Sequence, residues 1–367
     1  MTTKTGFFAP GRINIIGEHT DYSGGYVMPA PLAYGISFIN VEPADEWDIY
    51  SVSTGEKFSG VTSGKWTGSR QLMAFVKAIE KTAIGQGLQT SPLKGILESD
   101  LPTGSGLSSS TALTSVLLAA QYEINGWDLS RSEMMHLAQQ TEINMGIQCG
   151  IMDQYCMWQG IREKAILLDC SALKHRVLDI HIPGYQWMLL FSGVKHQLLG
   201  SPYNERRKQL FEGIGLLEKM GWKQEDLKTN SAGLLSNAMQ INDPVVRKRV
   251  RYVISENARV LEMEEVLHEK DAKRVMSILN EGQAGLKNDY EVSCDEIDIL
   301  VGSVMKYQPE IGIRMVGGGF GGALIVFMPE DVDRKFLNEA LYEYEGLTGK
   351  KGVILPLKFG DPVGRID

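Results

Sequence analysis

The sequence predicts an α+β protein made of two domains. Its 367 residues exceed the length that one hydrophobic core usually spans, so two cores are the default expectation. Strand-like and helix-like segments follow one another in irregular runs, without the regular alternation of a parallel βαβ sheet. Near residue 180 the sequence changes from short strands with Gly-rich turns to segments that predict longer helices. We therefore expect an N-terminal domain over residues 1–180 and a C-terminal domain over residues 181–367.

The N-terminal domain combines strands with amphipathic helices. The segments YVMPAPLAYGISFINVEP and EWDIYSVS have the apolar content and the alternation of strands. SRQLMAFVKAIEKTAIGQG predicts a helix that ends at glycine, and LSRSEMMHLAQQTEI predicts a helix that opens with a capping box of Ser130 and Glu133. The expected apolar face of the first helix contains Leu72, Phe75, Val76 and Ile79.

The C-terminal domain contains longer helices and fewer strands. YQWMLLFSG predicts a buried strand, and IGIRMVGGGFGGALIVFMP predicts two apolar strands around a glycine turn. Between them, DPVVRKRVRYVISENARVLEMEEVLHE predicts a long helix with Asp243 as its cap and Pro244 in its first turn.

Charge and composition exclude several classes of function. The chain is 43% hydrophobic and 22% charged, as in soluble proteins, and its formal net charge of −8 argues against nucleic acid or an anionic membrane as partner. No apolar run approaches the roughly 20 residues of a membrane span, and MTTKTGFFAPGR does not have the features of a secretory signal. The cysteines show neither C-x-x-C nor zinc spacing, so reduced thiols in a cytoplasm fit best. They are Cys149, Cys156, Cys170 and Cys294.

The stretch GRINIIGEHTDYSGG concentrates four polar side chains directly after an apolar run. Arg12, Glu18, His19 and Asp21 fall within ten residues. Such a group is compatible with a solvated turn, and equally with a site for a ligand rich in hydroxyl groups.

LPTGSGLSSSTAL predicts a glycine-rich loop that leads into a helix. Gly104 and Gly106 allow the backbone to approach a ligand, and the serines from Ser108 to Ser110 open the helix. Free N–H groups and the positive dipole end at a helix start attract phosphate. The Walker pattern is absent from the sequence, so a serine-capped helix after a flexible turn remains the alternative.

GGGFGG, from Gly317 to Gly322, formally satisfies G-x-G-x-x-G but precedes a strand, which is the wrong context for a dinucleotide fold. It indicates a tight hairpin turn, or a backbone that lies close to another backbone or to a ligand.

Two further stretches carry candidate residues. In CGIMDQ, Asp153 lies in an apolar setting, where it is either a tuned base or a helix cap, and the cap is favoured when the motif is taken alone. In SPYNERRKQ, Tyr203 and Asn204 come just before the start of a basic helix, which is also compatible with a solvated helix face.

Together these stretches resemble the galactokinase family, within the superfamily of galactokinase, homoserine kinase, mevalonate kinase and phosphomevalonate kinase. GRINIIGEHTDY is similar to the galactokinase signature, LPTGSGLSSSTAL to the phosphate loop of the superfamily and GGGFGG to its third motif. CGIMDQ, GSPYNERR and DPVVRKRVRYVISENAR also resemble galactokinase segments, and their order agrees. The resemblance covers residues 7 to 330.

The resemblance implies a two-lobed small-molecule kinase with its active site between the lobes. ATP would be the donor, with Mg²⁺, and Asp153 and Arg12 would be catalytic. By the same match, the sugar would contact Glu18, His19, Asp21, Gly150, Asp153 and Tyr203. The phosphates would lie against Gly104, Ser105, Gly106, Leu107, Ser108, Ser109, Ser110, Gly318 and Gly319. Ser110 and Glu142 would be the Mg²⁺ partners, although the spacing from Glu142 to CGIMDQ is one residue shorter than the family pattern. The adenine contacts stay unassigned.

The activity implied by the resemblance is ATP-dependent phosphorylation of the anomeric hydroxyl of D-galactose, giving α-D-galactose 1-phosphate. Sister sugar-1-kinases that act on N-acetylgalactosamine, L-arabinose or galacturonate are alternatives, as is a non-catalytic sensor of galactose and ATP. Glu18 argues against galacturonate, because a second carboxylate near position 6 would be repelled. We expect no nucleic acid, membrane or obligate protein partner.

Overall fold

The computed structural model describes residues 5–102, 104–194, 202–229 and 231–366, and the α+β prediction is confirmed. In these ranges the strands form three sheets, and α-helices pack around them. The strands are β1 (Thr5–Asn14), β2 (Tyr26–Val27), β3 (Pro29–Pro43), β4 (Trp47–Ser51), β5 (Lys57–Gly60), β6 (Trp66–Gly68), β7 (Leu93–Ser99), β8 (Ala165–Asp169), β9 (Lys174–Leu178), β10 (Tyr185–Phe191), β11 (Gly312–Met315), β12 (Ala323–Pro329), β13 (Val353–Pro356) and β14 (Gly364–Ile366). The helices are α1 (Arg70–Gly85), α2 (Ser109–Asn125), α3 (Arg131–Asn144), α4 (Met152–Gln159), α5 (Tyr203–Lys219), α6 (Ala232–Met239), α7 (Pro244–Glu269), α8 (Ala272–Gly285), α9 (Asp295–Tyr307) and α10 (Lys335–Thr348).

The first sheet has the strand order β14-β1-β3-β7-β4-β5-β6. Its neighbours are antiparallel, except for the parallel pair of β4 and β7. Helices α2 and α4 pack on β1 and β3, and Val116 and Leu117 of α2 belong to the same apolar core as Phe7 of β1. Because both helices pack on β1, each begins close to the segment that carries Arg12.

The second sheet, in the order β11-β12-β10-β13, is antiparallel throughout. Side chains alternate between its two faces. Trp187 and Phe327 belong to the same apolar core as Phe7 of β1, whereas Leu190 and Val326 belong to a second core under the C-terminal helices. The two halves of the chain are therefore joined by a continuous apolar contact. A small third sheet, in the order β2-β8-β9, completes the architecture over the described residues.

The helix-end signals of the sequence are confirmed. Ser130 and Glu133 form the capping box of α3, and the Asp243 side chain accepts hydrogen bonds at the start of α7, where Pro244 is the first residue. The predicted apolar face of α1 is buried, and β10 is the predicted buried strand.

The strand prediction over YVMPAPLAYGISFINVEP is confirmed, as β2 and β3 with Met28 between them. One predicted helix start is wrong. Tyr203 and Asn204 lie inside the first turn of α5 rather than before it. The helix starts earlier because Pro202, with φ fixed near −64°, serves as its N-cap.

Among the described residues, no helix combines the length and the apolar character that a membrane crossing requires. The four cysteines are all free thiols.

The segment after β13 returns to the first sheet, where β14 pairs with β1. Arg131 fixes this return, because its Nε donates to the Trp158 carbonyl at 2.6 Å and its Nη2 donates to the Val363 carbonyl at 2.9 Å. We still propose a boundary between the lobes near residue 180. Residues 364–366 are an exception, because they pair with β1 and so pack with the N-terminal lobe.

We predict that Arg131→Met lowers the free energy of unfolding by about 1–3 kcal/mol, because two buried carbonyls lose their charged donor while the apolar stem is kept. Urea unfolding followed by circular dichroism measures this change. Arg365→Met is the matched control: it removes the exposed ion pair with Glu123 in the same region, and should cost less than about 1 kcal/mol. Equal losses in the two variants would contradict the role assigned to Arg131.

Candidate active site

One pocket lies where the first motif, the glycine-rich loop, the start of α4 and the start of α5 meet. Most of the predicted site residues line it, although they are far apart in the sequence. These are Arg12, Glu18, His19, Asp21, Gly104, Gly106, Ser108, Ser109, Ser110, Glu142, Gly150, Asp153, Tyr203 and Gly318. The other three predicted residues, Ser105, Leu107 and Gly319, belong to the adjoining loops and do not line it.

The sequence reasoning missed several lining residues. They are Tyr22, Thr111, Ile147, Gln148, Cys149, Met152 and Gly317. Five of the seven lie inside the motifs quoted above, so membership of a motif could have identified them as candidate pocket residues. For Ile147 and Gln148, which lie between α3 and CGIMDQ, the sequence offers no comparable signal.

Asp153 forms the centre of the pocket. It lies in the first turn of α4, but that helix has Ile151 as its N-cap and no side-chain cap, so the cap interpretation is wrong. Its Oδ1 accepts from Arg12 Nε at 2.6 Å, and its Oδ2 accepts from the Ser108 hydroxyl. Both partners hold the carboxylate at the junction of β1, the glycine-rich loop and α4.

Arg12 connects three parts of the site. Its Nε bonds to Asp153, and its Nη1 donates to the Gly106 carbonyl at 2.9 Å. Burial alone would lower the pKa of the guanidinium, but the carboxylates of Asp153 and Glu18 outweigh that effect and the pKa is raised. Arg12 is therefore a fixed positive charge beside the glycine-rich loop.

The glycine-rich loop leads to an uncapped helix start. Ser108 is the N-cap of α2 in a left-handed conformation, with φ 62°, and its side chain does not cap the helix. Its hydroxyl donates to Asp153 instead. The positive end of α2 thus remains available to an anion in the pocket, which favours the phosphate-binding interpretation of the motif over the serine-capped helix.

The cluster Gly317–Gly322 forms the connection between β11 and β12 and packs against the glycine-rich loop. A Cβ at Gly317 would lie 2.8 Å from the Gly106 carbonyl oxygen, and one at Gly322 would lie 2.9 Å from that of Ser105. Both glycines also have positive φ. The close-approach interpretation is therefore confirmed, because two backbones meet where no side chain would fit.

Glu18 ties the first motif to this glycine connection. It is fully buried, and its Oε1 accepts from the Gly317 N–H at 2.9 Å and lies 3.5 Å from Arg314 Nη2. Burial raises the pKa of the carboxyl, while Arg314 and Arg12 oppose that shift. One of its oxygens thus has a structural partner, in addition to any ligand contact that the sequence predicts.

Asp21 and Gly150 are in direct contact. A Cβ built on Gly150 would lie 1.7 Å from Asp21 Oδ2, so any other residue at position 150 would displace the carboxylate. Burial raises the pKa of Asp21 to about 7, and the charge of Asp153 adds to the shift. The pocket holds a carboxyl group whose charge changes near neutral pH.

Aromatic rings form one wall of the pocket. Tyr203 of α5 lies 5.5 Å from the ring of His19 and 6.0 Å from that of Tyr22, measured between centroids. Tyr290, behind them, lies 4.7 Å from His19. Arg207 covers the outer face of Tyr22 at 5.4 Å from its centroid. Such a wall offers apolar faces edged by hydroxyl groups.

Glu142 is buried beside the start of α2. Thr111 Oγ1 donates to both of its oxygens, at 2.9 and 3.1 Å, and Gln154 Nε2 also donates to it. Burial raises its pKa to about 7, and the charge of Asp153 contributes. Ser110 donates a further hydrogen bond that opposes this shift.

These oxygen donors suit Mg²⁺. The Gln154 Oε1 atom is buried without a hydrogen-bond donor among the described residues, on an amide that bonds Glu142, and the Ser110 hydroxyl bonds the same Glu142 carboxylate. One carboxylate with a few neutral oxygens is the partial ligand set that Mg²⁺ takes when phosphates and water complete its shell. No group of three or more His, Cys, Asp or Glu side chains suited to hold a metal occurs within the described ranges.

Family models match three regions of the chain. The model of the GHMP kinases N terminal domain matches residues 72–160, and that of the GHMP kinases C terminal domain matches residues 263–345. The galactokinase galactose-binding signature matches residues 2–39, the region that contains the first motif.

Whole-chain comparisons agree with these matches. A galactokinase of Thermotoga maritima is 34% identical over 365 residues, which cover 98% of this chain and 99% of that protein. A galactokinase of Clostridium acetobutylicum is 30% identical over 377 residues, covering 98% of this chain and 94% of that protein. A crystal structure of Lactococcus lactis galactokinase complexed with galactose has a TM-score of 0.86 at 27% identity, covering 100% of this chain and 96% of that one. The mevalonate kinase of Methanococcus jannaschii, with a TM-score of 0.64 at 13% identity over 98% of this chain and 99% of that one, shares the fold.

The raised pKa of Asp21 gives a test of the electrostatics of the pocket. Its carboxyl has a pKa of about 7 in the folded protein, compared with about 3.9 in an unfolded chain. As the pH rises between these values the unfolded chain loses this proton first, so ionisation of Asp21 lowers stability across that window. We predict that Asp21→Asn raises the free energy of unfolding at pH 8 and changes it little at pH 4, in urea melts.

Asp48 provides the control of opposite sign. Its pKa is lowered by hydrogen bonds from Lys57 and Ser59, so Asp48→Asn should lose a little stability at pH 8 rather than gain it. An Asp21→Asn variant that is less stable than the wild type at pH 8 would contradict the assignment of a raised pKa.

Proposed function

Since this chain belongs to the galactokinase family of the GHMP kinases, we propose that it transfers the γ-phosphoryl group of ATP to the anomeric hydroxyl of D-galactose. The product is α-D-galactose 1-phosphate, and the chain is accordingly a sugar 1-kinase of galactose metabolism. The observation that carries the proposal is the pair of Arg12 and Asp153, which stands between the sugar motif and the phosphate loop in one pocket.

Phosphoryl transfer requires positioning and charge stabilisation more than covalent work by the protein. Asp153 accepts the proton of the anomeric hydroxyl, whose oxygen attacks the γ-phosphorus as the bond to the β–γ bridging oxygen breaks. Arg12 holds the Asp153 carboxylate in place through the hydrogen bond at 2.6 Å and offers positive charge to the transferred group. The Ser108 hydroxyl, now on Oδ2 of Asp153, orients the carboxylate.

The phosphates of ATP lie at the start of α2. The residues assigned to them are Gly104, Ser105, Gly106, Leu107, Ser108, Ser109, Ser110, Gly318 and Gly319. Support comes from the uncapped helix start and from the two glycine-rich backbones that meet there. Ser105, Leu107 and Gly319 would act through the shape of these loops, since they do not line the pocket.

Ser110 and Glu142 would hold Mg²⁺. When bound, Mg²⁺ would neutralise the negative charge that builds up on the phosphate oxygens. Glu142 would have to lose its proton for this role, and its pKa of about 7 allows that near neutral pH.

The sugar lies between the carboxylates and the aromatic wall. Asp21 accepts from the 3- and 4-hydroxyls, while Gly150 and Asp153 face the 1- and 2-hydroxyls. Glu18 and His19 face the 6-hydroxyl, and Tyr203 closes the pocket. The contact of Asp21 with Gly150 supports this arrangement, because it fixes the carboxylate in a single place against the backbone. The compartment that we propose is the cytoplasm, in keeping with the four free thiols.

The sugar preference is tested by measuring ADP release with a panel of monosaccharides. Galactose should exceed glucose in kcat/KM by about 10²-fold or more, because the Asp21 carboxylate loses its hydrogen bond when the 4-hydroxyl is equatorial. N-Acetylgalactosamine, L-arabinose and galacturonate test the sister activities, and phosphorus NMR of the product tests the position of transfer. Glucose used as well as galactose, or N-acetylgalactosamine used better, would overturn the galactose assignment.

The base is tested with Asp153→Asn. This variant keeps the shape of the side chain but cannot accept the proton, so kcat should fall by about 10²-fold or more. Asp169→Asn is the matched control, because Asp169 is a partly buried carboxylate paired with Lys228 at 2.7 Å and does not line the pocket. It should keep the wild-type kcat. A kcat of Asp153→Asn within a few-fold of the wild type would remove Asp153 from this role.

A further inference from the structure

A chain of hydrogen bonds runs from the pocket into the C-terminal lobe. His19 Nδ1 lies 3.0 Å from the Tyr22 hydroxyl, which lies 2.6 Å from the hydroxyl of Tyr290. Tyr290 is fully buried between the rings of His19 and Tyr252, with centroid distances of 4.7 Å to each. The sugar motif at the start of the chain is thus connected to a tyrosine about 270 residues later in the sequence.

The hydrogen bonds that link His19, Tyr22 and Tyr290 can run in two directions. Only one direction gives each hydroxyl hydrogen an acceptor among the described residues. Burial raises the pKa of both tyrosines, so both hydroxyl groups keep their hydrogens at neutral pH. Among the residues that the structure describes, Tyr22 is the only hydrogen-bonding partner of the Tyr290 hydroxyl. Tyr290 must therefore donate to Tyr22, and Tyr22 in turn donates to Nδ1 of His19. The reverse direction would bury the Tyr290 hydrogen with no acceptor among the described residues.

The same matching of hydrogens to acceptors excludes the other protonation states of the His19 imidazole. A hydrogen on Nδ1, whether in the second neutral tautomer or in the imidazolium, would be donated to Tyr22. Tyr22 would then donate its own hydrogen to Tyr290, and the buried Tyr290 hydrogen would again lack an acceptor in the part of the chain that the structure describes.

We infer that Tyr22 and Tyr290 hold His19 in the neutral tautomer that carries its proton on Nε2, so that His19 is a hydrogen-bond donor in the sugar pocket. Tyr22 and Tyr290 are then positioning residues that act through His19. The consequence for selectivity rests on the proposed function, in which His19 faces position 6 of the sugar. A donor on Nε2 makes the pocket select a sugar with an acceptor oxygen at that position. Glu18, next to it, accepts the hydrogen of the same hydroxyl.

Tyr290 is held rigidly enough for this task. It ends a π-helical turn, Leu286–Tyr290, and is followed by Glu291 in a left-handed conformation with φ 56°. Arg249 is buried, donates to the Asp289 carbonyl and pairs with the Glu291 carboxylate at 2.6 Å. The turn is therefore clamped on both sides of Tyr290, which fixes its hydroxyl relative to Tyr22.

The tautomer is measured directly by nitrogen NMR on protein labelled at its six histidines, with the His19 signals identified by their loss in His19→Asn. Wild-type protein should show Nε2 protonated and Nδ1 as the bare nitrogen. Tyr290→Phe leaves Tyr22 free to accept, so a fraction protonated on Nδ1 should appear. The Tyr252→Phe control, whose lost hydroxyl bonds the Glu18 carbonyl instead, should keep the wild-type pattern. Wild-type His19 protonated on Nδ1, or on both nitrogens, would overturn the inference.

A kinetic measurement tests the consequence for selectivity. Tyr22→Phe removes the partner of Nδ1, so the ratio of kcat/KM for galactose to that for 6-deoxygalactose should fall by about 5- to 10-fold. Tyr252→Phe should leave the ratio unchanged, and an unchanged ratio in Tyr22→Phe would overturn the assigned role of the pair. The NMR measurement needs neither sugar nor turnover. A failure of the galactose assignment is therefore distinguishable from a failure of this inference.

Discussion

The ion pair between the buried Arg12 and the half-buried Asp153 is the interaction on which the site depends. It joins β1 to the first turn of α4, and the same guanidinium bonds the backbone of the glycine-rich loop at Gly106. A buried charge is costly unless it has hydrogen-bonding partners, and the Arg12 guanidinium has them in the Asp153 carboxylate and the Gly106 carbonyl. The Ser108 hydroxyl in turn bonds the other oxygen of Asp153. Strand, loop and helix are thus fixed to one another by charged groups that are also the proposed chemical groups.

The two lobes meet through backbone contacts that only glycine permits. Gly317 and Gly322 let the connection between β11 and β12 lie against the glycine-rich loop, and Glu18 bonds the Gly317 N–H across the same junction. The sugar motif, the phosphate loop and the third motif therefore form one unit. A substitution in any one of them is expected to alter the other two, because their separations are set by van der Waals contact.

Much of the fold could be predicted from the sequence because its signals are local. The caps of α3 and α7 and the apolar face of α1 depend on residues within a few positions of one another. The role of Asp153 could not be separated from that of a cap by the residues alone, since its partner Arg12 is 141 positions away. Tyr290 belongs to no recognised motif, and only the folded structure shows that its ring lies against that of His19. Motif resemblance supplied the site residues, whereas their partners required the structure.

The pairing of β14 with β1 has a consequence for how the chain is made. Gly6, Phe7 and Phe8 find their partners at Ile366, Arg365 and Gly364, which leave the ribosome long after them. Throughout synthesis, one side of β1 is consequently an open strand edge with unpaired N–H and C=O groups and a phenylalanine pair beside it. Such edges recruit other chains. The edge of β1 therefore stays open to misassembly until residues 364–366 have emerged, and a chaperone bound near Phe7 would protect it over that period.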